Sequence, residues 1–303
     1  MNDQLSRSFK ESLGVKQGHI KSSDNYKIYI NPLLDTIDGA NLGVWIGPVN
    51  VGSSACADDE YIMTDRPTKL QALLDIASFY GSMYRSTYGA DKTKVTVVGS
   101  KPDMEFYQET SPWHLNGVKL KVVENNEHLG QIVSGLKQEE KNIDLRISKS
   151  RNCLFSMLGP AFAYKCLLSQ NVKIHLYRTF ICPILRSGLS SFSLRSSALE
   201  PLAIFQRKTL RGILSLSKSS ATPALHFLLG ELPVAGKIHR DVFALFFSVW
   251  TNPQTKIYQI IKYLLENSAE NSRTWSIHLR HLCKYYGLPD PLVWLNQDPP
   301  LKS

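Results

Sequence analysis

The chain has no Cys-x-x-Cys pair; its five cysteines stand singly at 56, 153, 166, 182 and 283. That argues against a disulfide framework and against structural zinc, and makes an intracellular, reducing compartment (nucleus or cytoplasm) the expectation. An apolar leader is missing too. The opening MNDQLSRSFK is polar, so no signal peptide is read and secretion is not expected. No apolar run reaches the roughly 20 residues that a bilayer crossing needs. The strongest, DVFALFFSVW at 241–250, carries Asp241, and no membrane partner is expected. Internal repeats and low-complexity tracts are absent. Acids are scarce in the second half alone. Residues 151–303 hold 18 Lys and Arg against 7 Asp and Glu, a net of +11, while residues 1–150 hold 17 against 19, a net of −2. This asymmetry suggests a polyanionic partner for the second half, although solvated basic helix faces give the same count.

What is present is ordinary globular material: 303 residues, 43% hydrophobic and 20% charged, long enough for two domains. Residues 22–38 carry Tyr26, Ile30, Leu33 and Leu34 at helical spacing, with Ser22 and Ser23 as N-cap candidates and Pro32 as an expected kink. Short strands come next at 43–47 and 49–57, and 60–64 is expected to pair back as the second arm of a hairpin. Residues 67–88 read as a long helix and 93–99 as a strand. Residues 113–133 read as two or three short strands, with turns at Asn116-Gly117 and Asn125-Asn126. From about 137 onward, alternation gives way to helical spacing at 138–168, 170–187, 197–214, 235–250, 256–267 and 272–285. The expected architecture is α+β, with a boundary near 134–137 between a mixed domain, 1–136, and an all-helical one, 137–303. The last residues, QDPPLKS, are expected to fray.

The stretch CADDEYIMTD at 56–65 places Asp58 and Asp59 at the hairpin tip. In mid-strand, adjacent side chains point to opposite faces, but at a tight turn both carboxylates can face one cleft. Paired carboxylates suit Mg²⁺, and two such ions can activate one oxygen and stabilise the leaving one in phosphoryl transfer. Taken alone, an acidic hairpin turn is more often only a polar turn. HLRHLC at 278–283 invites a metal reading, but without a second ligand pair at zinc spacing an ordinary helix end is preferred.

Four boxes occur in order: GVKQG at 14–18, CADD at 56–59, DKTK at 91–94 and HLG at 128–130. Their order and spacing resemble the palm of reverse transcriptases of non-LTR retrotransposons. GVKQG is similar to the G-x-x-Q-G motif and CADD to the aromatic-Ala-Asp-Asp box. The stretch from Leu70 to Val98 is similar to the helix and lysine-bearing strand that come after that box, and HLG to the hairpin often called the primer grip. FQRKTLRGILSL (205–216) and LHFLLGELPV (225–234) resemble the helical thumb and post-thumb region. The resemblance implies an antiparallel palm sheet with helices on one face, then a basic thumb. It implies that Asp58 ligates Mg²⁺ with Asp59 in support, and that Lys92 lies near the triphosphate and protonates the pyrophosphate leaving group. A cation suits the charge that develops there. It implies that Gln17 and Gly18 meet the template and nascent pair, and that Leu129 and Gly130 pack on the primer. RNA and DNA, as an RNA–DNA hybrid, are the implied partners, and Mg²⁺-dependent DNA synthesis on an RNA template is the implied reaction. Beside these roles stand plain ones: Gly14 and Gly18 as turn formers, Lys92 as a surface charge, Leu129 as core.

A thumb grips duplex through phosphates, which needs cations on helices. Candidates are Arg146, Lys149, Arg151, Arg207, Lys208 and Arg211. The last three can share one side of a helix whose other side carries Leu202, Phe205, Leu210 and Ile213. The chain departs from the family where 13 residues precede the GVKQG box, too few for the upstream strand that supplies a further metal-binding aspartate, or for the fingers. The polar Ser22-Ser23-Asp24-Asn25 replaces a Ser-Pro-apolar run, Cys56 stands where an aromatic is usual, and no endonuclease signature is present. The expectation is a truncated, inactive reverse transcriptase-like chain, with a nucleic-acid-binding remnant and a domesticated interaction protein as alternatives. A hairpin lacking its neighbouring strand has an open edge, so residues 1–134 are expected to fold less well than the helical part.

Overall fold

The computed structural model describes residues 19–157 and 168–297. The chain is mixed α and β, with small antiparallel sheets. The described residues pack as two compact units, residues 19–95 with 110–121, and residues 96–109 with 122–157 and 168–297.

In the first unit, α1 (Ser22–Gly39) and α2 (Pro67–Tyr84) pack through Ile30, Leu33, Ile37, Leu73, Ala77 and Tyr80. α1 runs through Pro32 and begins one residue after Lys21, with no side chain capping it, so neither serine acts as the cap. Strands β1 (Val44–Ile46) and β2 (Val49–Val51) pair, as do β3 (Ser53–Cys56) and β4 (Asp59–Ile62). Gly43 is needed where it stands: a Cβ there would come within 2.3 Å of both Asn50 Oδ1 and Gly52 Cα. Further along, after β5 (Lys94–Val95) and after α3 (Lys101–Thr110), which belongs to the second unit but for its last residue, β6 (His114–Leu115) pairs with β7 (Val118–Lys119). Their turn is Asn116-Gly117, with φ of +51° and +76°, the left-handed pair that two-residue hairpins favour. The Gln71 side chain bolts α2 to β6, accepting from His114 N at 2.8 Å and donating to His114 O at 3.0 Å.

Every ladder among the described residues has two strands. The strand expected over 93–99 contracts to two residues, and a helix that periodicity did not announce comes after it.

In the second unit, β9 (Asn125–His128), which comes after β8 (Lys121–Val122), and β10 (Gln131–Ser134) form a hairpin. Its turn lies at Leu129-Gly130, not at Asn125-Asn126, which are inside β9. The hairpin rests on α4 (Gln138–Met157), whose buried stripe holds Asn142, Ile143, Arg146 and Ser150. Asn142 mimics a strand neighbour: its Oδ1 accepts from Ile132 N at 2.9 Å and its Nδ2 donates to Ile132 O at 2.7 Å. The helix expected over 170–187 is divided into α5 (Gln170–Leu176), a π-turn at Tyr177–Ile181 and α6 (Cys182–Arg186). Pro183 lacks the N–H that an unbroken ladder would use.

This unit holds two cores. One gathers Tyr177, Ile181, Leu185, Leu202, Leu210 and Ile238 around α7 (Ser196–Leu214) and α8 (Thr222–Leu229). The other joins α9 (Val234–Trp250), α10 (Lys256–Asn267), α11 (Trp275–Tyr285) and α12 (Pro291–Leu295) through Val242, Phe246, Leu265 and Leu279. Thr255, Thr274 and Asp290 accept from backbone N–H groups at the starts of α10, α11 and α12, the usual use of such side chains. Asp241, the acid inside the strongest apolar run, forms an ion pair with Arg186. Among the described residues no helix is long and apolar enough to cross a membrane.

Candidate nucleic-acid interface and acidic hairpin

The acidic tip forms as expected, with Cys56 opposite Asp59 and Ser53 opposite Ile62. Ala57 and Asp58 make the bend, and Ala57 takes a φ of +54°, a left-handed conformation that costs an L-residue roughly 1–2 kcal/mol. Asp58 and Asp59 are both exposed; Glu60 is half-buried on the inner side of β4. The Tyr88 hydroxyl donates to Glu60 Oε1 at 3.3 Å. Burial raises the Glu60 carboxyl above its ordinary value, and the Tyr88 bond works against that rise. Burial first, then the negative charges of Glu60 and Asp58, raise the Tyr26 phenol. The buried acid here is therefore Glu60, which the sequence-based expectation passed over. Strand alternation was the available signal: Glu60 shares its face with Ile62, and Ile62 packs on the core.

Lys92 is exposed in the turn before β5, its N–H donating to Gly89 O at 3.0 Å. Tyr88 fastens the loop that leads to Lys92 onto the hairpin that bears the acids. No ion pair within 4.0 Å joins Lys92 to Asp58 or Asp59 among the described residues. Gln17 and Gly18, like Gly14, lie outside the described residues. Among those described, no group of three or more His, Cys, Asp and Glu side chains converges as a metal site.

In the second unit Leu129 and Gly130 sit at the tip of a hairpin, with φ of +48° and +75°, and Leu129 is 57% exposed. Its exposure excludes plain core packing for Leu129. The six proposed phosphate contacts divide three ways. Arg146 is 5% exposed, and its Nη2 donates to Gly130 O; burial lowers its pKa. Buried beneath the hairpin, it is corrected from a phosphate contact to an internal brace. Arg211 is likewise committed, reaching Ser220 O at 2.9 Å and Thr222 Oγ1 at 3.1 Å to hold the α7–α8 connection. Lys149 pairs with Glu127 at 2.7 Å and Arg207 with Glu200 at 2.7 Å. Arg151 and Lys208 are exposed and have no ion pair among the described residues, and both line one cavity between α4 and α7.

A larger cleft of about 950 Å³ is lined by Arg195, Arg273, His239, His278 and His281 among others. Burial, with the charges of His239 and His281, pushes His278 down to about 4, and burial also lowers His239. These two imidazoles are thus neutral at pH 7.

Compared with protein-family models and with curated proteins, the chain matches none.

Proposed function

We propose that this chain is a reverse transcriptase-like protein that holds nucleic acid and does not itself extend a primer. It is read as part of a palm within residues 1–136 and a thumb-like region at 137–303, acting in an intracellular setting. The ordered boxes and the net charge of +11 over residues 151–303 support the family reading. The observation that carries the binding role is that Arg151 and Lys208, two exposed cations from separate helices, stand unpaired around the same surface. Cations so placed meet phosphates without reading bases. For chemistry, the hairpin tip presents Asp58 and Asp59 as exposed carboxylates. The half-buried Glu60 is directed to Tyr88 instead.

Primer extension on an RNA template, with Mg²⁺ and deoxynucleotides, tests the non-catalytic part: no product is expected from this chain alone, and robust product would overturn it. Titration of a labelled RNA–DNA hybrid tests the binding part. Binding is expected to weaken with salt and to survive Asp58→Ala together with Asp59→Ala. Absence of binding at low salt would favour the interaction-protein reading.

A further inference from the structure

The cavity between α4 and α7 measures about 360 Å³ and is walled by Phe155, Phe205, Leu154 and Ile213, with Arg151 and Lys208 at its lining. Phe155 is 58% exposed although α4 buries another face, so a large ring is presented to whatever enters. Gly212 lines the same cavity, and a Cβ added there would meet nothing within 4 Å. The absent side chain therefore leaves room on α7. The volume is at the lower end of what small-ligand sites offer, enough for one planar ring system. An aromatic wall next to two unpaired cations matches a base with its phosphate. Every base has a π-face, so such a site accepts bases without choosing among them. A purely apolar segment would leave both cations without partners.

We propose that this cavity is a stacking niche for one unpaired base of a single-stranded nucleic acid, the base against Phe155 and the flanking phosphates on Arg151 and Lys208. It rests on the reading that the helical unit binds nucleic acid, and it names what that surface takes beyond duplex backbone.

The test uses the full chain, a labelled twelve-nucleotide single strand, the same strand carrying abasic sites, free deoxyadenosine monophosphate, and an RNA–DNA hybrid. Phe155→Ala is expected to weaken single-strand binding about tenfold and to leave hybrid binding unchanged. Gly212→Leu fills open space on a helix and is expected to do the same. Because it adds helix propensity, its thermal midpoint should not fall. The abasic strand is expected to bind the wild-type chain about as weakly as the intact strand binds Phe155→Ala. The niche is overturned if both variants keep single-strand affinity within about twofold, if the abasic strand binds as well as the intact one, or if free nucleotide binds as tightly as the strand. It is also overturned if Gly212→Leu alters sedimentation but not strand binding, which would assign the cavity to a second copy of the chain. Hybrid binding that persists while the niche fails leaves the functional reading standing; loss of all nucleic-acid binding removes both.

Discussion

Arg178 and Glu231 are joined at 2.9 Å between Nε and Oε2, and the same guanidinium donates from Nη2 to the carbonyls of Leu229 and Gly230. The carboxylate of Glu231 is 2% exposed and also takes Lys237. Gln206 adds a second bolt, accepting from Val234 N at 2.7 Å and donating to Leu232 O at 3.0 Å. Residues 205–216 and 225–234 are thereby fastened to one another. Glu231→Ala leaves Lys237 buried without its partner and is expected to cost about 3 kcal/mol in urea unfolding. A cost below about 0.5 kcal/mol would show that the network contributes nothing.

Asn142 holds both backbone groups of Ile132. Asn142→Leu removes these bonds and leaves a buried N–H and C=O unsatisfied, an expected loss of about 2 kcal/mol. Amide exchange at Ile132 should accelerate more than exchange within α9, and equal changes at both places would contradict the role.

His278 sets a pH dependence. Its folded pKa, about 4, lies below the unfolded value near 6.5. Its contribution is fully present above pH 6.5 and is lost as pH falls from there toward 4, because the unfolded chain gains the proton first. After allowance for partial exposure the loss is about 1–2 kcal/mol. The wild-type chain should lose more stability than His278→Gln between pH 6.5 and 4.5, and parallel curves would refute this.

Ala57 bends the acidic hairpin at a φ of +54°. Ala57→Gly relieves the left-handed strain and is expected to raise the stability of the first unit by about 1 kcal/mol. Hydrogen exchange across residues 43–64 should slow, and unchanged or faster exchange would contradict the expectation.

Periodicity made most helices legible: Leu202, Phe205, Leu210 and Ile213 fall on one face of α7 by spacing alone, and they are buried there. Asn116-Gly117 announced its own turn, because both residues tolerate positive φ. Asn125-Asn126 gave the same signal, but the glycine at 130 took the turn and Asn125 is bound to Lys141 at 2.7 Å. α8 was missed as an element although Pro223 at its start and Gly230 at its end mark it. The fates of the basic residues could not be read locally. Arg146 falls on the stripe of Asn142 and Ser150, a spacing visible in sequence, but a buried polar stripe declares itself only once a hairpin lies over it.

The salt dependence of hybrid binding tests the central claim most directly. The wild-type chain should bind a labelled RNA–DNA hybrid with an affinity that falls linearly on a log–log plot against salt. Arg151→Ala with Lys208→Ala should make that slope shallower by about 2, one ion per lost phosphate contact. Binding with no salt dependence, or a slope untouched by the double substitution, would contradict a phosphate grip on this surface.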